Sequence, residues 1–310
     1  MSDVERRASI VGLALLLALL AGAFIVVLVS ERRPAGSVPG EASIISMAAI
    51  AEGLLVGSER GVATTADAAR WTLAPLPGAL RARRALVASS EQAAFVLVGE
   101  VLFLSEDLRT YQRLSDRRFA GTALTATPQG SVFIAGGGHL WRVDPGGAVE
   151  MLELGPSAPR EILSLGAAPG RVFYAGGLLS GLWRSEDGGA SWRRLLGTPN
   201  RTVLIDRRDA RRILLGTPGG ILISKDGGLS WRFTGMRHSV SGLAEREGEI
   251  FAVTADRLLY HSPDGEGRWE SLLSPPPSAS LDWIGISLRR SQRSWCGHRP
   301  TLLPGHPRLH

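Results

Sequence analysis

The chain has 310 residues, 44% hydrophobic and 21% charged, with 38 glycines and a single cysteine, Cys296. This composition excludes a disordered or fibrous chain, and the lone cysteine excludes an intramolecular disulfide framework and a thiolate metal cluster. The net charge of +6 does not point to nucleic acid, because beyond Trp283 the chain holds five arginines (Arg289, Arg290, Arg293, Arg299 and Arg308) and no acid, which places nearly all of the excess at one end.

In chain order, residues 1–7 are a short charged tail. Ala8 to Ser30 follows as an uncharged run rich in Leu, Val, Ile and Ala. As a helix it would span about 34 Å, enough for a bilayer core of about 30 Å. The run is longer than the apolar stretch of a cleavable signal peptide and ends in Glu31-Arg32-Arg33, so 8–30 reads as an uncleaved transmembrane anchor. Arg6-Arg7 and Arg32-Arg33 flank it on opposite sides, and we expect the N-terminus inside. Residues 31–42, with Pro34, Gly36, Ser37, Pro39 and Gly40, have linker composition.

From residue 43 the chain repeats with a period of roughly forty. Residues 181–196 read GLWRSEDGGASWRRLL, residues 220–235 read GILISKDGGLSWRFTG, and a looser copy, RLLYHSPDGEGRWESLL, occupies 257–273. Degenerate copies stand upstream at Thr65-Ala66-Asp67, Ser105-Glu106-Asp107 and Val143-Asp144. Each unit contains four strand-sized runs bounded by Gly, Pro, Asp and Asn; the fifth unit reads TVLID, RRILLGT, GILISKD and SWRFT. No helical period separates them. The expected fold is therefore all-β, a propeller of four-stranded blades near 43–81, 82–122, 123–159, 160–201, 202–239 and 240–274. Residues 275–310 are either an irregular basic tail or a degenerate seventh blade; Leu281 to Leu288 could serve as a first strand, but nothing after it fits the pattern.

The recurring motif is Ser185-x-Asp187-x-Gly189-x-Ser191-Trp192, repeated as Ser224-x-Asp226-x-Gly228-x-Ser230-Trp231 and, more loosely, around Asp264 and Trp269. An Asp in such a turn accepts hydrogen bonds from nearby backbone amides, the glycines supply positive φ, and the Trp packs into the sheet layer. These are folding roles. The motif resembles the Asp box, or bacterial neuraminidase repeat. Its tandem form after a membrane segment is most similar to the photosystem II assembly and stability factor-like propellers, and more distantly to sortilin-type and sialidase propellers. The resemblance covers about residues 43–273. It implies a seven-bladed, non-catalytic scaffold that binds protein partners at a membrane, with each Asp box at a blade periphery away from the ligand site. This chain departs from that pattern in the eroded motifs of its first three units and in a last unit that is missing or scrambled.

A sialidase would need an arginine triad and a tyrosine nucleophile, and usually carries Arg-Ile-Pro in its first blade; that tripeptide is absent here. Of the three tyrosines, Tyr111 and Tyr260 fall in the outer part of the repeat, and Tyr174 sits in a core-like run. Metalloprotease and serine-hydrolase signatures are also missing, and the six histidines are scattered. No metal or cofactor is expected. Gly136-Gly137-Gly138 reads as a tight inter-strand turn. The loops that lead into successive units each carry arginine: Arg81, Arg83 and Arg84; Arg117 and Arg118; Arg160; Arg201; Arg237 with His238. Around a propeller they would form a broken ring at one channel mouth, suited to carboxylate or phosphate groups, and the competing reading is a solvated surface. Arg207-Arg208 and Arg211-Arg212 belong to an opposite-face turn. The function expected is a non-catalytic, membrane-anchored scaffold or assembly factor on the outer side of the cytoplasmic membrane, binding a protein partner with an anionic surface and no nucleic acid. The alternative is a sialidase-like glycoside hydrolase or a carbohydrate-binding propeller.

Overall fold

A computed structural model describes residues 43–68, 70–77, 80 and 83–272. The expected anchor at 8–30, the linker and the segment 275–310 lie outside the described residues, as does Arg81. Twenty-four strands make six four-stranded sheets, each a meander in which chain neighbours pair antiparallel. The first strand of each sheet is innermost: Ile44–Ile50, Ala85–Ser89, Ala123–Ala126, Ser164–Ala168, Thr202–Ile205 and Val240–Arg246. These strands contact one another in sequence around a ring.

The middle strands explain why the sequence does not alternate cleanly. Ala94–Val98 (AFVLV) and Ile213–Thr217 (ILLGT) are buried along their whole length, because each blade is covered on both faces by its neighbours. Outer strands have only one side to bury and are short and polar, as at Gln112–Arg113 and Glu270–Ser271. Between Val132–Gly136 and His139–Val143 the chain turns through Gly137 and Gly138 at φ 59° and 81°, a tight turn that residues with a Cβ resist.

Six separate apolar clusters fill the six interfaces between blades. One joins Ile44, Met47 and Leu54 of blade one to Phe251, Val253 and Leu259 of blade six. A fully buried side chain such as Phe251 contributes about 1.5–3 kcal/mol through the water it leaves. This cluster closes the ring at six blades and corrects the count of seven that the resemblance implies. The physical reason lies at the seam. The inner strands of blades one and six are the longest, seven residues each. They pack so closely that a Cβ on Gly242 would stand 2.7 Å from Met47 Cβ. A seventh sheet has no gap to enter there.

Candidate functional site

Because strands alternate in direction, turns fall on two faces of the disc. Loops carrying the chain from one blade to the next, and turns between second and third strands, share what we call the crossover face. Turns between first and second strands, and between third and outer strands, share the other, the aspartate face.

In blade four, Asp187 Oδ1 accepts hydrogen bonds from the Ser185 hydroxyl (2.8 Å) and the Ser191 amide (2.9 Å), and Oδ2 accepts from the Ser191 hydroxyl (2.6 Å). The Ser185 oxygen in turn accepts from the Gly189 amide at 2.9 Å. Blade five repeats this set around Asp226, with Ser224 at 2.8 Å, the Ser230 amide at 2.9 Å and Gly228 N to Ser224 Oγ at 2.8 Å. Blade two builds a similar cradle without the glycines: Asp107 accepts from the Thr110 amide (2.7 Å), the Arg109 amide (2.8 Å) and the Thr110 hydroxyl (2.9 Å). Donors favour the ionised form. The Ser191 hydroxyl and amide hold Asp187 at about 2, the Ser230 hydroxyl and amide hold Asp226 at about 2, and the Thr110 and Arg109 amides hold Asp107 at about 2, all from an ordinary 3.8. In blade six, Asp264 takes the Glu266 amide at 2.8 Å, and the Ser262 oxygen takes the Gly265 amide at 2.9 Å.

The motif aromatics point inward from these turns. Trp192 lies in the interface between blades three and four, Trp231 in that between four and five, and Trp269 in that between five and six. Trp192 Nε1 donates to Gly189 O at 2.9 Å and Trp231 Nε1 to Gly228 O at 3.1 Å. Tyr174, 1% exposed, is a core residue that fastens two blades by donating to Gly227 O at 3.2 Å. Tyr111 is half-buried at the aromatic position of blade two, where burial pushes its phenol pKa up.

Arg83, Arg117, Arg160, Arg201 and Arg237 lie exposed on crossover loops that lead into five consecutive blades. Two further sequence-predicted arginines are already engaged. Arg84 donates to Gly121 O at 3.2 Å and stands 3.6 Å from Glu59, while Arg118 stands 3.7 Å from Glu100. Arg237 lies over the Phe233 ring, 5.4 Å from its centre. Among the described residues, no carboxylate pairs with Arg83, Arg117, Arg160 or Arg201. The crossover face is therefore basic. On the aspartate face the motif itself installs an acid per blade, from Asp67 to Asp264, so the repeat that folds the protein also polarises it.

The channel at the centre is a cavity of about 140 Å³ lined by all six inner strands. Its aspartate-face end is crossed by Arg207, whose guanidinium donates to Ser89 O at 3.0 Å and Ser89 Oγ at 2.9 Å in blade two. The Arg207 amide donates to Glu245 Oε2 at 3.2 Å, and Glu245 is a carboxylate only 5% exposed at the cavity wall. Sequence reasoning placed Arg207 on this face but missed the crossing, which joins residues 118 apart in the chain. Nothing in the local sequence separates Arg207 from Arg208, Arg211 or Arg212. Nearby, Arg212 pairs with Asp206 at 2.5 Å and donates to the Asp264 carbonyl; Glu266 gathers Lys225 at 2.7 Å and Arg232 at 2.5 Å, with the Lys225 hydrogen bond foremost in holding its pKa below the usual carboxylate value.

No protein-family model matches the chain, and no curated protein matches it in sequence. Solved structures similar to it include the extracellular domain of BT4673 from B. thetaiotaomicron, at 14% identity and TM-score 0.52 over 79% of this chain and 35% of that one. This chain thus spans about a third of that domain's length. A gluconolactonase from Xanthomonas campestris superimposes at 13% identity and TM-score 0.52 over 71% of this chain and 85% of that one. YCF48 from Cyanidioschyzon merolae does so at 16% identity over 76% and 87%, with a TM-score of 0.46. At these identities the first two likenesses establish the propeller fold alone.

Proposed function

We propose that this chain is a non-catalytic, membrane-anchored scaffold whose crossover face binds a protein partner with an acidic surface. The observation that carries the reading is the row Arg83, Arg117, Arg160 and Arg201: exposed, on four successive crossovers, and unpaired among the described residues. A guanidinium left in water on a rigid loop loses little on meeting a carboxylate, and several on one face set both orientation and association rate. The described chain starts with Ser43 at the crossover end of blade one, so an anchor at 8–30 and linker at 31–42 would keep this face turned toward the membrane. The linker reaches at most about 40 Å, which leaves room for a partner held at the bilayer surface outside the cytoplasm.

A glycoside hydrolase is the competing reading, and Glu245 at the cavity wall is the observation on its side. Against a reaction at Glu245 stands the size of the central channel: about 140 Å³ is below the roughly 300–1,000 Å³ usual for small-molecule sites. The deciding experiment is capture of partners from solubilised membranes by the full chain at rising salt, with two double variants. Reversing Arg117 and Arg160 to Glu should abolish salt-sensitive capture, whereas reversing Arg208 and Arg211 to Glu changes net charge equally and should leave it largely intact. Equal losses from both pairs would reject the face assignment. Hydrolysis of a glycoside, lost in Glu245→Gln, would install the competing reading.

A further inference from the structure

Blade three carries an edge that the other blades lack. Its outer strand, Val149–Glu153, runs five residues in unbroken register with His139–Val143. Outer strands of blades one, two, five and six are two residues long, and that of blade four is four residues with a register shift. The cause is the turn before it. Blade three crosses through Asp144–Ala148, whereas blades four and five spend the longer stretches 186–192 and 225–231 on their motif.

The direction of the free backbone groups follows from the ladder. Asp144 N donates to Ala148 O at 3.0 Å, which by alternation directs the backbone of Glu150 and Leu152 toward the neighbouring strand. The N–H and C=O groups of Val149, Met151 and Glu153 therefore point outward, and among the described residues no backbone group meets them. The next residue of this outward series is Gly155, whose N–H donates to Gly189 O of blade four at 3.0 Å. One end of the row is thus already capped by a foreign carbonyl. Beside the strand lies a cleft of about 600 Å³ between blades three and four, lined by Phe133, Arg142, Glu150, Leu152, Arg171 and Phe173. The two phenylalanine rings meet edge to face, 4.8 Å between centres. Met151 is 48% exposed on the strand's other side, and Glu153 is exposed at its end.

We infer that this edge accepts an extended segment of a partner protein as a fifth strand of blade three. Only another extended backbone matches alternating donors and acceptors at strand spacing, and alternate side chains then select the sequence. On the cleft side the segment places a large apolar residue beside Leu152, at the rim of the cleft. At its end a basic residue meets the Glu153 carboxylate. This site is on the rim of the disc and is independent of the crossover arginines.

The test uses the full chain in detergent and a short synthetic peptide alternating Phe with Thr, flanked by lysines. Met151→Pro removes an outward N–H while leaving the ladder to His139–Val143 whole; Met151→Leu keeps that N–H. Peptide affinity, read by fluorescence anisotropy, should fall at least about tenfold in Met151→Pro and stay within about twofold in Met151→Leu. Peptide methylated on its edge-facing amides should not bind. Amide exchange at Val149, Met151 and Glu153 should slow when peptide is added, and the Arg117/Arg160 double reversal should bind it normally, which separates this site from the crossover face. The proposal is overturned by any of three results: no saturable binding to the wild type, equal affinity in Met151→Pro, or amides already protected in the free chain, which would mean that the chain itself or a second copy covers the edge.

Discussion

Blades four and three fold into the same meander from different chemistry at the outer turn. In blade four, Asp187 gathers three hydrogen bonds, and Trp192 leaves the turn to fill the interface with blade three. In blade three, Asp144 takes the Ala148 amide at 2.8 Å, and no aromatic follows it. The interface with blade two is filled instead by Trp141 from the third strand, set against Phe119 at 6.0 Å between ring centres. The propeller therefore requires a large aromatic at each interface and a capped turn, and the Ser-x-Asp motif is one of two ways to supply them.

The largest expected effect tests that equivalence. Trp192→Ala and Trp141→Ala should each cost about 3–5 kcal/mol, measured by denaturant unfolding, since each empties a ring-sized volume between blades. If Trp141→Ala costs much less, the substitution of one aromatic position for the other fails as an account of blade three.

Glycine changes should come next and reverse the apparent ranking of the two turns. Gly189 sits at φ 101°, where an added Cβ would meet nothing closer than 3.6 Å, so Gly189→Ala should cost only the conformational strain of about 1–2 kcal/mol. Gly147 sits at φ 85° with Leu114 O only 2.2 Å from that Cβ position, and Gly147→Ala should cost clearly more. The motif-free turn is thus the less tolerant one. Equal melting temperatures for the two variants would refute this.

A smaller effect depends on pH. The Asp187 and Asp226 carboxylates titrate at about 2 in the folded chain against an ordinary 3.8. A depressed folded value stabilises above the unfolded one, and that stabilisation is lost as pH falls from 3.8 toward about 2. Asp187→Asn should lower the melting temperature at neutral pH, and the gap to the wild type should close across that window. Asp144→Asn, which weakens a single accepted bond, should shift melting least of all; a loss of melting temperature at neutral pH as large as that of Asp187→Asn would erase the distinction between the two turns.

Much of this was readable from one-dimensional pattern. Near-equal spacing of Ser185, Ser224 and Ser262, four apolar runs per unit and glycine-bounded turns are local properties, because a strand's period and a turn's φ are set by neighbouring residues. The crossover arginines could be assigned to one face for the same reason, as strand alternation alone decides it. Erosion of the motif misled in one respect: Asp107 looks degenerate beside Asp187, yet its Thr110 supplies the donors that Ser191 supplies there.

What the sequence by itself determined was the blade, its four strands and its polar faces. Blade number, the crossing of the channel by Arg207, the engagement of Arg84 with Gly121 O and the open outward edge at Val149–Glu153 were decided only by the tertiary structure. Each depends on contacts between residues distant in the chain. Ring closure above all is set by how tightly Met47 and Gly242 let two inner strands approach, a distance that no local pattern encodes.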